Sequence, residues 1–457
     1  MKSKRDTLTM QQGNLVEIEI ADLSSSGDGV GRVGEYVVFV PDTVPGDRAS
    51  VRLVQVKQHY AHGKLHQLLQ PSPHRIRPRC IVADKCGGCQ WQHVSDAYQQ
   101  VAKRQQVIQA LERIGGFSQP PVAPLLALDS TLGYRNKVTY PFGLSTMGHV
   151  QAGYYRRHSH RLINLNQCPV QDSRLNPLLA EIKRDIEQQG WSIYDENRHQ
   201  GQLRHLSLRI GRRTGEILLT LVTTDWDLSA LREQADLWLE RYPQLVGVAL
   251  NYNPERTNVI FGGETRTIAG QSYVREIFAG LEFHLRSDTF FQVNTEAAEA
   301  LLHAIEEHLD LQGTEMLVDA YCGIGTFTLP LARQVEQAIG IEVQAAAVEQ
   351  ARENARLNGI DNATFAVGEV ETILSQLDRQ PDIVLLDPPR QGCDRAVTEM
   401  LEKLQSPQLV YISCKPSTLA RDLKLLCQAG TYQLISVLPL DFFPQTAHVE
   451  CAAFLQR

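Results

Sequence analysis

The sequence predicts a multidomain α/β protein: a small N-terminal β-barrel, a central α+β region, and a C-terminal doubly wound parallel sheet. Three observations predict this. Short alternating strands broken by Gly/Pro turns fill residues 8–68. Cysteines crowd a proline- and glycine-rich stretch after them. From about residue 286, buried strand-like runs alternate with helical ones.

Length and composition set the frame. A chain of 457 residues, 43% hydrophobic and 21% charged, has room for two or three globular domains. No apolar run reaches about 18 residues, so no membrane span is expected. Met1-Lys2-Ser3-Lys4-Arg5-Asp6 is not followed by an apolar core, so no signal peptide is expected. A cytoplasmic protein without a membrane partner is expected, with a monomer as the default. Its nine cysteines then read as ligands, nucleophiles or core residues rather than disulfides. The net charge of −7 is unevenly spread: 0 over 1–70, +8 over 71–168, −3 over 169–285 and −12 over 286–457. The basic stretch is where a polyanion would bind.

The elements follow in order. Asn14 to Ile20 and Val51 to Lys57 alternate, and Tyr36 to Val40 is a strand. Gly-rich Ser26–Arg32 and Pro41–Gly46 are the turns between them. Pro71–Cys80 is a linker. Residues 94–114 form a helix, with Ser95 as cap and Gly115-Gly116 as stop. A hairpin turns around Gly211–Gly215. Met316–Asp319, Gln337–Glu342, Ala363–Val367, Asp382–Asp387 and Leu409–Ser413 are the strands of the last sheet. The expected divisions are 8–68, 69–285 and 286–457, with helix 94–114 able to pack on the third.

Val318-Asp319-Ala320-Tyr321-Cys322-Gly323-Ile324-Gly325-Thr326 reads as strand, tight glycine turn and helix start. Glycine there lets a ligand approach the backbone. Glu342 ends the next strand, where a carboxylate can accept the ribose hydroxyls of an adenosine. The third glycine of the dinucleotide fingerprint is missing, which argues against NAD. Cys80, Cys86 and Cys89 are spaced Cys-x5-Cys-x2-Cys, and Cys168 stands alone before Pro169. Thiolates on a glycine turn suit zinc or an iron–sulfur cluster, and spacing does not choose between them. The spacing differs from that of radical enzymes.

Tyr411-Ile412-Ser413-Cys414-Lys415-Pro416 places a cysteine at a strand end. Asp387-Pro388-Pro389-Arg390 ends another strand upstream, and Glu450 lies near the C-terminus. A thiol, an aspartate and a glutamate so arranged suit methylation at carbon 5 of a uracil. That carbon becomes nucleophilic only after a thiolate adds to C6.

These residues together resemble the RumA/RlmD family of 23S ribosomal RNA (uracil-C5)-methyltransferases, over nearly the whole chain. The glycine turn and Glu342 resemble class I S-adenosylmethionine-dependent methyltransferases. The resemblance implies that residues 8–68 are a TRAM domain, an OB-like RNA-binding barrel, and that 286–457 is a Rossmann-like methyltransferase domain. It implies a [4Fe-4S] cluster on Cys80, Cys86, Cys89 and Cys168 in the central domain. Phe290-Phe291-Gln292-Val293-Asn294 matches the segment before the catalytic domain. Gln292, Tyr321, Thr326, Glu342, Glu369 and Asp387 would then bind S-adenosylmethionine. Phe290 and Asp387 would hold the flipped uracil, Cys414 would be the nucleophile and Glu450 the general base. Glu369 stands where the family often has Asp, Lys415 where it often has Asn, and Tyr321 where Phe is common.

The expected partner is 23S rRNA. The same chemistry on tRNA and a non-catalytic RNA-binding assembly factor are the alternatives. Methylation of an exocyclic amine is a third, suggested by the acidic Pro-Pro motif. It needs no nucleophilic cysteine, and such enzymes usually carry an aromatic where Arg390 stands.

Overall fold

Alternation builds the first domain of this computed structural model, which describes residues 10–428 and 430–457. The Met1–Asp6 stretch and the first two residues of the expected 8–68 barrel lie outside the described residues. Strands β1 (Leu15–Leu23), β2 (Gly29–Val33), β3 (Tyr36–Val40), β4 (Arg48–Val56) and β5 (Tyr60–Gln70) close into a barrel in the order β1-β2-β3-β5-β4. Val16, Ile18 and Ile20 point inward while Glu17 and Glu19 are exposed, the period of a strand with one wet face. Val38, Val40, Ala49, Val51, Leu53 and Ala61 complete the core. Closure leaves no open edge for aggregation. A second small cluster of Leu23, Val44, Trp91, Val94 and Ala102 lies in the same compact unit. There the Trp91 indole donates to the Gly27 carbonyl at 3.1 Å. Gly27 has φ +91°, and a Cβ on it would lie 2.5 Å from Gln90 Cβ, so the turn requires glycine.

This compact unit extends to Gln106 and includes Phe443–His448; the other comprises Val107–Phe442 and Val449–Arg457. The expected 94–114 helix is α1 (Asp96–Ala110), followed by a π-helical turn, Leu111–Gly115. Gly116, with φ 74°, ends it.

The second unit begins with a seven-stranded mixed sheet. Its strands are β6 (Lys137–Leu144), β7 (Val150–Tyr155), β8 (Leu162–Asn164), β9 (Leu203–Ile210), β10 (Ile217–Thr223), β11 (Leu245–Tyr252) and β12 (Glu264–Gly270). They lie in the order β12-β11-β10-β9-β6-β7-β8. The β9–β10 pair is the expected hairpin, with Ile210 opposite Ile217. Helices α2 (Asn176–Gln189) and α3 (Leu231–Arg241) belong to this part, and β13 (Tyr273–Phe278) and β14 (Leu281–Arg286) form a separate ribbon.

After α4 (Thr295–Leu309), β-strands and helices alternate: β15 (Met316–Asp319), α5 (Thr328–Ala332), β16 (Gln337–Glu342), α6 (Ala345–Leu357), β17 (Ala363–Val367), α7 (Val370–Leu374), β18 (Ile383–Leu386), α8 (Arg395–Leu404), β19 (Gln408–Ser413), α9 (Pro416–Gln428), β20 (Gln433–Leu440) and β21 (Glu450–Gln456). All of β15 and β18 is buried, as parallel strands covered on both faces must be. The sheet order is β17-β16-β15-β18-β19-β21-β20. Strand order reverses between β15 and β18, and in such folds ligands bind outside the carboxyl ends at that point. One feature differs from an all-parallel sheet: β21 runs antiparallel to both neighbours. Among the described residues no helix is long and apolar enough to cross a membrane.

Candidate active site

The glycine turn after β15 opens the site. Gly323 and Gly325 take φ +53° and +84°, and the Gly325 N–H donates to the Cys322 carbonyl at 2.8 Å. Thr326 in this turn is buried. Asp319, at the end of β15, accepts a hydrogen bond from the Thr328 hydroxyl at 2.6 Å. Burial raises its carboxyl to about 6; that hydrogen bond opposes the rise and the nearby Glu342 charge adds to it. Glu342 closes β16, and its carboxylate accepts the Gln344 N–H at 2.9 Å. This backbone can admit a nucleoside, with Glu342 one strand away. Glu369, just beyond β17, is exposed at the start of α7. Tyr321 is half-buried, with its hydroxyl 3.9 Å from Cys393 Sγ.

The segment before α4 is held from the mixed sheet. Asn136 donates through Nδ2 to the Gln292 carbonyl and to Thr295 Oγ1, each at 2.9 Å. Asn294 caps α4, accepting the Ala297 N–H at 3.2 Å. Gln292 Nε2 thereby comes within 3.5 Å of Asp387 Oδ2, a long hydrogen bond. Phe291 is buried, whereas its neighbour Phe290 is 67% exposed. So exposed a ring is unusual for a large aromatic side chain.

The candidate reactive groups gather through the antiparallel strand. Ser413 of β19 pairs with Cys451 of β21. The carboxyl end of one strand therefore adjoins the amino end of the other, and Cys414 and Glu450 meet although 36 residues separate them. Glu450 is buried, and burial holds its carboxyl well above the ordinary range; the Asp387 charge adds to this and Arg390 opposes it. Cys414 is half-buried. Burial raises its thiol and Glu450 adds to this, while the charge and hydrogen bond of Arg390 pull it back. Asp387 is pushed up to about 7, first by burial and then by Asp319. A row of acidic groups thus runs from the glycine turn to the thiol, with the Arg390 cation facing its far end. Such opposed environments mark acid–base sites.

The structure brings together Gln292, Asp387, Cys414 and Glu450, with Tyr321, Thr326 and Glu342 on the adjoining strand ends. Arg390 was not singled out as a site residue in the sequence, although it directly follows Asp387-Pro388-Pro389. Asn136 was also not foreseen, because nothing local to it signals a role; Asp319 lies in the glycine motif, but its hydrogen bond with Thr328 was not foreseen.

The cysteines of the expected set are placed as follows. Cys80 and Cys89 are half-buried, and Cys86 and Cys168 are buried. The Gly88 N–H lies 3.4 Å from Cys86 Sγ. Among the described residues, no group of three or more His, Cys, Asp or Glu side chains stands as a metal-ligand set.

Comparison with known proteins adds the family. The model of the tRNA (Uracil-5-)-methyltransferase family matches residues 256–457, and that of the TRAM domain matches 10–66. An uncharacterized RNA methyltransferase of Nostoc sp. is 68% identical over 447 residues, covering 98% of this chain and 97% of the relative. One from Bacillus cereus is 37% identical over 458 residues, covering 100% and 99%. The structure of Pyrococcus abyssi tRNA (uracil-54, C5)-methyltransferase in complex with S-adenosyl-L-homocysteine superposes with a TM-score of 0.76 at 27% identity. It covers 96% of this chain and 100% of that one. On these grounds the chain belongs to the TRAM-containing, RumA/RlmD-like family of RNA (uracil-C5)-methyltransferases.

Proposed function

We propose that this protein methylates carbon 5 of a uridine in 23S rRNA, using a covalent adduct between Cys414 and C6 of the base. The observation that carries the reading is the meeting of Cys414 and Glu450 at adjoining strand ends, beside Asp387 and Arg390. Bound S-adenosylmethionine supplies an electrophilic methyl group. Gly323, Gly325, Thr326 and Tyr321 would line its site, Glu342 would accept its ribose hydroxyls, Glu369 would face its adenine end, and Gln292 would contact it. The Pyrococcus abyssi relative, solved with S-adenosyl-L-homocysteine, supports this.

The target uridine leaves its stack, at a cost of a few kcal/mol, and stacks near Phe290. Asp387 holds the uracil edge in register. Cys414 acts as its thiolate, which Arg390 favours, and adds to C6. C5 then carries the electron density and takes the methyl group. Glu450 removes the C5 proton, and the C6–sulfur bond breaks to restore the ring. A carboxylate with a raised pKa is the stronger base for that step once it is ionised.

A tRNA uridine is the second reading, supported by the Pyrococcus abyssi relative, which acts on tRNA. Methyl transfer to unmodified rRNA and tRNA in parallel, with nucleosides identified by mass spectrometry, separates the two. 5-Methyluridine in rRNA alone is expected; 5-methyluridine in tRNA alone would replace the substrate, and none in either would overturn the reading. The [4Fe-4S] cluster on Cys80, Cys86, Cys89 and Cys168 is proposed on the family resemblance, and no chemical step passes through it. Anaerobic purification with iron and sulfide analysis tests it, and a zinc-only protein would refute it.

A further inference from the structure

The loop that carries Arg390 is gripped from one helix. That helix, α9, starts at Pro416, two residues after Cys414. Thr418 Oγ1 donates to the Arg390 carbonyl at 3.4 Å, and Arg421 Nη2 donates to the Gln391 carbonyl at 2.8 Å. Asp422 is fully buried. Its Oδ2 accepts the Cys393 N–H at 3.0 Å and the Tyr411 hydroxyl at 2.6 Å, and its Oδ1 accepts Arg421 Nε at 2.7 Å. The Tyr411 hydroxyl also accepts the Cys393 N–H at 3.2 Å. Gly392 has φ +81°, and a Cβ there would lie 2.4 Å from Asp422 Oδ2. The turn therefore closes directly onto this carboxylate.

A buried carboxylate is costly unless its hydrogen bonds are made. Here it accepts three, each from a group that fixes the 390–393 turn, its strand or its helix. No atom of Asp422 is needed for the proposed chemistry, so its expense has another purpose. Arg390 itself is exposed. An exposed long side chain loses conformational freedom when it holds one partner, and a backbone already fixed in place keeps that cost down. Among the described residues, the charged groups that bear on Cys414 are Arg390, Glu450 and Asp387, and Arg390 is the cation of the three. Its loop follows β18, which pairs in parallel with β19, the strand that ends at Ser413, and the Thr418 hydroxyl that grips the Arg390 carbonyl also donates to the Lys415 carbonyl at 3.0 Å. The position of Arg390 therefore opposes the rise that burial and the two carboxylates impose on the thiol.

We propose that Asp422 is a positioning residue, which acts through the 390–393 turn to keep the Arg390 guanidinium against the Cys414 thiol. The helix that follows the nucleophile thus also holds the loop that activates it. This rests on the reading of Cys414 as nucleophile, and it makes Gly392 a requirement of activation rather than only of the turn.

The test is the pH dependence of Cys414 alkylation by iodoacetamide, read on the Cys414 peptide by mass spectrometry from about pH 6 to about pH 10. Arg390→Gln is expected to move the inflection upward. Asp422→Asn and Gly392→Ala should move it the same way, by about one pH unit, or roughly tenfold slower alkylation at a fixed pH below the inflection. If Asp422→Asn does not fold, Gly392→Ala carries the test from the other side of the contact. An unshifted inflection in the folded Asp422 and Gly392 variants would overturn the proposal, and so would an unshifted Arg390→Gln. A wild-type protein that forms no adduct with 5-fluorouridine RNA, yet shows the shifts, would refute the methylation reading and leave the latch standing.

Discussion

Asp387→Asn should make the ligand-free protein more stable at alkaline pH while abolishing its activity. The Asp387 carboxyl is raised from 3.8 to about 7, by burial and by the charge of Asp319. The fold therefore favours its neutral form. The stability that goes with that form is fully present below about pH 4 and is lost as pH rises through about 7. The shift spans roughly three units at about 1.4 kcal/mol each, or about 4 kcal/mol in full. Asp387 is only half-buried, so water screening reduces this to about 2 kcal/mol. Asparagine keeps the shape and a partner for Gln292 but carries no charge. Urea denaturation at about pH 8 should show the variant more stable by roughly that amount, with the gain shrinking toward about pH 4. A variant less stable than wild type at pH 8, or a difference independent of pH, would refute the reasoning. The methyl-transfer assay should show the opposite trend, because the uracil loses its anchor; this is the stability–function exchange expected of a strained site.

Glu450→Gln should slow turnover roughly a hundred- to ten-thousand-fold and cause a covalent protein–RNA species to accumulate on denaturing gels. Phe290→Ala should lower kcat/KM roughly ten- to a hundredfold, the worth of about 1–3 kcal/mol of base stacking, with little change in melting temperature because the ring is exposed. Glu342→Ala should weaken S-adenosylmethionine binding about tenfold or more by calorimetry; unchanged affinity would remove it from the donor site.

What could be read from the sequence was what local spacing encodes. The glycine turn at 323–325 and the acid at Glu342 lie on consecutive elements, so their pattern is complete in a short window. Cys414 was legible because a strand ends just before it and Pro416 starts a helix just after. The barrel was legible through the alternation in β1. The meeting of Cys414 with Glu450 was not legible as geometry, because it depends on β21 inserting antiparallel between β19 and β20. The hold of Asn136 on the Gln292 segment crosses 156 positions of chain. Arg390 lay in plain view beside Asp387, but only the fold turns it toward the thiol. Asp422 sits in a helix interior, where an aspartate reads as an ordinary polar position until its three donors are seen. For the cysteines, spacing promised a ligand set whose geometry depends on tertiary placement.

The central claim is that Cys414 adds to the uracil ring. RNA carrying 5-fluorouridine traps such an adduct, since a base that removes a proton from C5 cannot remove fluorine. Incubation with this RNA and S-adenosylmethionine, followed by digestion and mass spectrometry, should locate a methylated fluorouridine on the peptide containing Cys414. An adduct on another cysteine, or methyl transfer to normal RNA with no adduct at all, would contradict the account.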